Sequence, residues 1–144
     1  MGNIKICVIG AGRWGKNHIR TLFELGALGG VVDSDAQQRN KIKDLFPQTA
    51  CFDSLENAFQ FFFDGYVVAT PPFTHLDLTK DILKNKTPVL VEKPLTLSVE
   101  AGMKIQSLIK KLDGKLIVGH LLLFHPAIIK MKEMIEDDII GDLQ

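Results

Sequence analysis

The chain of 144 residues has little of what characterises secreted, membrane or nucleic-acid-binding proteins. Two cysteines are too few for a disulfide framework, and Cys7 and Cys51 lie in apolar runs, where we expect buried, reduced thiols. Lys plus Arg and Asp plus Glu number 17 each, so no net charge attracts nucleic acid or an anionic membrane. No apolar run approaches the roughly 18 residues of a membrane span, and no secretory leader pattern opens the chain. We therefore expect a cytoplasmic protein that binds neither nucleic acid nor a membrane.

Histidine is also sparse, with four residues, and no His, Cys or Asp group has the spacing of a metal site. We expect no bound metal. With 46% apolar and 24% charged residues, the composition is that of ordinary globular protein, and the length fits one domain.

The most informative stretch covers residues 4–15, an apolar run followed by glycines at the spacing G-x-G-x-x-G. Gly10 allows a sharp turn with positive φ, Gly12 leaves room for phosphates, and Gly15 lets a helix lie close to the sheet. The N–H groups and positive dipole end of that helix would face the phosphates. The same glycines could serve packing alone. The residues expected to bind a dinucleotide here are Gly10, Gly12, Arg13, Trp14 and Gly15.

An acidic residue stands where a dinucleotide site requires one. Asp33 lies 21 residues after Gly12, at the end of a second apolar run. Its carboxylate would accept hydrogen bonds from both hydroxyls of the adenosine ribose and repel a 2′-phosphate, which favours NAD over NADP. Ser34, expected beside the ribose, and Arg39 keep NADP open, because an arginine there could meet the phosphate. Asp33 could also be a helix cap only.

Strand-like and helical segments alternate along the whole chain, which predicts an α/β fold, a doubly wound parallel sheet of the Rossmann type. Helix starts are expected at Ser34 or Asp35, Ser54, His75, Ser98 and Pro126, and the last helix is expected to run into Gly141. Phenylalanines at 59, 61, 62 and 63 are expected to pack in the core. The six predicted strands cover residues 4–9, 27–32, 49–52, 65–70, 88–91 and 115–119.

The remaining polar residues of interest follow the later strands, and the carboxyl ends of parallel strands share one crevice. Thr70, Pro71 and Pro72 would lie along the nicotinamide ribose. His75 follows on the next helix, where it could reach the cofactor or cap its own turn. His18 is expected to be a hydrogen-bonded core residue.

Three motifs together resemble those of the Gfo/Idh/MocA oxidoreductase family: Gly10-Ala-Gly-Arg-Trp-Gly15, Ala69-Thr-Pro-Pro72 with His75, and Glu92-Lys-Pro94. These are NAD(P)-dependent dehydrogenases acting mostly on sugars, cyclitols and their derivatives. The resemblance implies a cofactor domain at 1–120, and at 121–144 the start of a connection into a C-terminal α/β domain that is missing here. We therefore expect a truncated chain that lacks turnover by itself and that self-associates through the apolar residues of its last helix.

The resemblance also implies that Lys93 lies beside the substrate and the nicotinamide. Hydride transfer from a carbinol carbon requires a group for the hydroxyl proton, and a lysine can polarise the alkoxide or take that proton. Both roles stay open, as does a surface lysine before a turn. Glu92, also expected near the cofactor, could orient Lys93 or cap a neighbouring helix.

His120 and His125 flank an apolar run, residues 121–124, where many family members carry an arginine. This stretch resembles relatives that act on nucleotide-linked amino sugars, which makes both histidines, with Lys93, candidates for substrate contacts. The expected function is thus the NAD-binding domain of an oxidoreductase acting on a sugar-type alcohol. A stand-alone nucleotide-binding regulatory module and a Rossmann-like domain whose glycines only pack are the alternatives.

Overall fold

A computed structural model describes residues 4–141 and contains the predicted alternation of strands and helices. The strands are β1 (Ile6–Ile9), β2 (Leu28–Val32), β3 (Ala50–Phe52), β4 (Gly65–Val68), β5 (Val89–Val91) and β6 (Leu116–Val118). The helices are α1 (Arg13–Glu24), α2 (Ala36–Leu45), α3 (Leu55–Ala58), α4 (His75–Lys84), α5 (Val99–Leu112) and α6 (Pro126–Glu136). Two 3-10 turns that the sequence pattern did not predict cover Pro72–Thr74 and Leu121–Phe124.

All six strands form one parallel sheet in the order β3-β2-β1-β4-β5-β6, which confirms the doubly wound Rossmann fold. Strands β2 and β3 are added on one side of β1, and β4 to β6 on its other side, so the strand order switches between β1 and β4, where Ile9 pairs with Val68. Such a switch point opens a crevice at the carboxyl ends of the two strands. The glycine loop after β1 and the segment after β4 border this crevice.

Helices cover the two faces of the sheet unequally. Cys7 and Ile9 of β1 point to the face that packs on α3, α4 and α5, where Ile82, Leu83 and Ile105 are buried. Val8 points to the other face, with buried side chains from α1 and α2 against it. This alternation is why strands of a doubly wound sheet are apolar throughout.

The phenylalanine prediction is wrong for two of its four members. Phe63 is buried and Phe59 half-buried, and each packs edge-on against Tyr66. Phe61 and Phe62 are 57% and 80% exposed. Helix α3 ends at Ala58, so helical spacing does not place these two side chains, and they lie in the turn before β4.

Both cysteines are free, and the predicted burial is confirmed for Cys7 but is wrong for Cys51. Cys7 is fully buried, whereas Cys51 is only half-buried because β3 is an edge strand. Desolvation raises the pKa of both thiols, so neither is poised as a nucleophile.

The last helix has no buried residue and packs against the 3-10 turn that precedes it. Pro126 occupies its first turn as predicted, and Nδ1 of His125 accepts a hydrogen bond from the N–H of Ala127 at 3.2 Å. The helix ends at Glu136, short of the predicted Gly141, and a series of turns follows. Within residues 4–141, no helix combines the length and the apolarity needed to cross a bilayer.

Candidate functional site

The glycine loop has the tight geometry that its sequence predicts. Gly10 has φ +93°, and a Cβ added there would lie 2.8 Å from the carbonyl oxygen of Ala69. A Cβ on Gly15 would overlap the carbonyl oxygen of Gly10, so helix and loop touch through backbone alone. At Gly12 an added Cβ would meet nothing within 4 Å. The loop is therefore closed toward the sheet and open toward the crevice.

The N-terminus of α1 faces that opening without a side-chain partner. Gly12 is its N-cap, no side chain caps it, and its first turn contains no acidic residue. The free N–H groups and the helix dipole therefore leave a positive end that suits a phosphate group. Arg13 is exposed in the first turn, and Trp14 is 46% exposed there.

Asp33 connects the glycine loop to the turn after β2. Its Oδ2 accepts a hydrogen bond from the N–H of Ala11 at 2.7 Å, and its Oδ1 accepts one from the N–H of Asp35 at 2.9 Å. The N-cap of α2 is Asp35, whose side chain accepts from Gln37. Asp33 is thus not the helix cap, and each of its oxygens keeps capacity for a further donor.

Arg39 lies beside the same turn. Its Nη1 donates to the carbonyl oxygens of Asp33 at 2.7 Å and Ser34 at 2.9 Å. The guanidinium has further N–H groups that these two bonds do not use. An arginine that could meet a 2′-phosphate is therefore held against the backbone of Asp33, the residue whose carboxylate would repel that phosphate.

A cleft of about 620 Å³ joins these features. The glycine loop and Asp33 border one side of it, and Thr70 and Pro71 the other. The apolar walls of this cleft were not predicted from the sequence, although they follow the ends of β3 and β4, a position that could have identified them. Those walls are Leu55, Leu78 and Phe73, the last 72% exposed.

The segment after β4 is fixed by its own hydroxyls and by a buried histidine. Oγ1 of Thr74 donates to the carbonyl oxygen of Pro71 at 2.8 Å, so Oγ1 of Thr70 is the donor in its 2.6 Å bond to Thr74. His75 is completely buried, and its Nε2 lies 2.9 Å from the carbonyl oxygen of Thr70. The ring therefore lies behind the crevice, without a surface for direct cofactor contact. Pro72 begins the 3-10 turn.

Lys93 follows a buried carboxylate. Glu92 is 6% exposed, and its Oε1 lies 2.8 Å from Nε2 of His18. Its Oε2 accepts the N–H of Lys93 at 3.3 Å, so Glu92 contacts the Lys93 backbone and is not a helix cap. His18 is hydrogen-bonded as predicted but only half-buried. Lys93 itself is exposed.

His120 and His125 are not among the residues that line this cleft. Both are exposed, at the two ends of the turn Leu121–Phe124, whose apolar side chains are exposed as well. Among the described residues, no group of three or more His, Cys, Asp or Glu side chains could hold a metal ion.

Comparison with known proteins agrees with the Rossmann fold. A family model described as an oxidoreductase family with an NAD-binding Rossmann fold matches residues 4–120. The chain belongs to the Gfo/Idh/MocA family. An inositol 2-dehydrogenase from Arthrobacter sp. (strain FB24) is 33% identical over 145 residues, which cover 97% of this chain and 43% of the relative.

Solved structures of two dehydrogenases share the fold. The scyllo-inositol dehydrogenase from Lactobacillus casei, with NAD(H) and scyllo-inositol bound, superposes with a TM-score of 0.88 at 24% identity over 98% of this chain and 43% of that one. The WlbA dehydrogenase from Bordetella pertussis, in complex with NADH and UDP-GlcNAcA, gives 0.90 at 23% identity over 97% and 44%. This chain thus spans less than half the length of the relatives that it matches.

The residues present fit a dinucleotide. The space above Gly12, the uncapped end of α1 and the Asp33 carboxylate at the end of β2 are separate features that all border one cleft. They offer the open backbone, the free N–H donors and the carboxylate that phosphate groups and a ribose require in a Rossmann fold.

Proposed function

We propose that this chain is the cofactor domain of an NAD-dependent dehydrogenase that transfers a hydride between the nicotinamide and a sugar-type alcohol. The observation that carries the proposal is the cleft between the uncapped end of α1 and Asp33. Bound NAD would supply the hydride acceptor or donor. The names of the relatives, inositol and UDP-sugar dehydrogenases, support an alcohol on a cyclitol, a sugar or a nucleotide-linked sugar.

Each part of the dinucleotide has proposed partners that line the cleft or follow directly on its lining residues. Gly10, Gly12, Gly15 and the first turn of α1, with Arg13 and Trp14, would hold the pyrophosphate. Asp33 and Ser34 would bind the adenosine ribose and favour NAD over NADP. Thr70, Pro71 and Pro72 would border the nicotinamide ribose, with His75 fixing them from behind. The apolar walls Leu55 and Phe73 suit the adenine ring.

Lys93 is the proposed catalytic residue. Its exposed ammonium follows the carboxyl end of β5, so it would either polarise the alkoxide or carry its proton. Glu92 would act through Lys93, since its carboxylate is buried. His120 and His125 remain proposed substrate contacts, supported by their place after β6 and not by the lining of the cleft.

The division of the chain is also a proposal: residues 1–120 as the cofactor domain and 121–144 as the start of a connection to a C-terminal α/β domain. The family match to residues 4–120 and the lack of buried residues in α6 support it. We expect the 144-residue chain to bind NAD but to show negligible sugar oxidation. A cytoplasmic location is proposed from the two free cysteines.

The single tryptophan allows a direct test of the cofactor site, because Trp14 lies in the first turn of α1. Titration with NAD or NADH is expected to quench its fluorescence in a saturable way. Half-saturation by NAD is expected at a concentration about tenfold or more below that for NADP, since a 2′-phosphate would meet the Asp33 carboxylate. Calorimetry should give the same order of affinities.

The control separates binding from inner-filter absorption by the nucleotide. Free tryptophan at the same absorbance should lose intensity linearly, without saturation. A protein that ignores every nucleotide in both fluorescence and calorimetry would contradict the proposal and leave a Rossmann-like domain whose glycines only pack.

Self-association is proposed from an exposed apolar surface that we call the C-terminal patch. It combines the turn Leu121–Phe124 with Ile129 and Met131 of α6. Patches of this kind commonly mark contacts with other protein surfaces. Light scattering is expected to show a dimer or larger species. In Phe124→Lys its dissociation constant is expected to be about tenfold higher.

A matched variant tests whether the C-terminal patch is the site of contact. Phe62→Lys changes an equally exposed phenylalanine outside the patch and should leave the association unchanged. A wild-type monomer at high concentration, or equal weakening by both substitutions, would contradict this surface.

A further inference from the structure

The carboxylate before Lys93 is held by α1, the helix whose N-terminus is the proposed phosphate site. His18 lies on α1, whose N-terminus borders the cleft, and its Nε2–H donates to Oε1 of Glu92 at 2.8 Å across 74 residues of sequence. Either the neutral Nε2–H tautomer or the protonated ring can supply this donor. The proposed phosphate site and the loop that carries Lys93 are thus connected through one side-chain bond.

Glu92 is held on its other sides as well. Its Oε2 accepts the N–H of Lys93, and a Cβ added at Gly119 would lie only 3.2 Å from the carboxylate. The carboxylate therefore lies against Gly119, directly after β6, while it bonds to His18 and to the Lys93 backbone. A buried carboxylate that loses one hydrogen-bond partner pays a large desolvation cost, so it would turn toward water and release the others.

The far side of Lys93 is already fixed. The carbonyl oxygen of Pro94 lies 2.9 Å from Nδ1 of His75, a completely buried ring. When Nδ1 carries a proton it donates to this carbonyl oxygen and ties Pro94 to α4, and the position of the Lys93 backbone then depends on the Glu92 side.

We propose that His18 is a positioning residue: through the Glu92 carboxylate it sets Lys93 against the cofactor bound at the end of α1. The inference rests on the proposed function, because it takes Lys93 to face the nicotinamide. His18 does not need to touch cofactor or substrate. Its effect is to connect α1 rigidly to the loop that carries Lys93.

Amide hydrogen exchange of the 144-residue chain without nucleotide tests the connection. In His18→Ala the Lys93 amide is expected to exchange about tenfold faster, since its acceptor moves away. His18→Gln keeps an N–H donor of similar reach and should restore most of the protection. Arg20→Ala, an exposed change on the same helix, is the matched control and should have no effect. Glu92→Gln should also speed exchange, because the amide group replaces one acceptor oxygen by a donor.

A second measurement links the connection to the cofactor. NAD is expected to shift the Lys93 amide resonance in the wild type and to shift it less in His18→Ala at equal saturation. The inference is overturned if His18→Ala matches Arg20→Ala, or if strands β4 and β5 exchange faster to the same extent as Lys93, which would indicate general destabilisation. It is also overturned if the NAD-induced shift is unchanged. Absence of any NAD binding by the wild type would instead refute the proposed function, while the exchange data still decide whether His18 holds the loop.

Discussion

Gly15→Ala is expected to destabilise the protein by about 3 kcal/mol or more and to abolish NAD binding. The added Cβ would overlap the carbonyl oxygen of Gly10 and lie 2.7 Å from its carbonyl carbon. Neither atom can yield easily, because the N–H of Gly10 donates to the carbonyl oxygen of Val32 at 2.8 Å. Relief would have to come from moving α1 away from the sheet, and the phosphate site would move with it.

Gly12→Ala is the matched comparison, since it adds the same methyl group three residues earlier. Its Cβ would meet no protein atom within 4 Å, and its φ of −69° suits alanine. We expect a loss of stability of at most about 1 kcal/mol, from a poorer N-cap. NAD affinity is nevertheless expected to fall about a hundredfold, because the methyl group would occupy the space where phosphates approach the backbone.

Urea unfolding and Trp14 titration of both variants give the two quantities separately. If Gly15→Ala has the same free energy of unfolding as the wild type, the contact between helix and loop is not tight. If Gly12→Ala binds NAD as tightly as the wild type does, the pyrophosphate lies elsewhere.

The features that could be predicted from sequence are those set by local chemistry. Asp35, Ser54 and Ser98 cap helices where their side chains accept a backbone N–H, and α4 begins at the predicted His75. The predicted strands are one or two residues longer than the strands in the structure. Residues 69–70 illustrate why: the apolar run continues there, but the chain leaves the sheet at the switch point, which only the topology decides.

The direction in which each site residue points could not be predicted. Strand ends indicated that Asp33, Thr70 and Glu92 share an edge, yet their partners lie far away in sequence. Glu92 meets His18 across 74 residues, and His75 turns inward to two carbonyl oxygens. Such contacts depend on how helices pack against the sheet, and no periodic pattern in the sequence encodes them.

Asp33→Asn is expected to weaken NAD binding about tenfold and to raise the affinity for NADP relative to NAD about a hundredfold. The substitution removes the negative charge that would repel a 2′-phosphate. It keeps one oxygen that can accept the N–H of Ala11, so the glycine loop should hold its shape, which Asp33→Ala would not ensure. Titration with both nucleotides, followed by Trp14 fluorescence and calorimetry, measures the change.

Asp35→Asn is the control for charge, because it neutralises a carboxylate two residues away that caps α2 and does not bond to the glycine loop. Asparagine caps a helix about as well as aspartate, so neither stability nor nucleotide preference should change. Arg39 is the nearby positive charge that could receive the 2′-phosphate. Its guanidinium lies against the carbonyl oxygens of Asp33 and Ser34, within the same turn. If Arg39 receives the 2′-phosphate once the charge at Asp33 is gone, the double variant Asp33→Asn with Arg39→Ala should lose most of the gain for NADP. An unchanged preference in Asp33→Asn would mean that Asp33 only braces the loop, and that the choice of cofactor is made elsewhere.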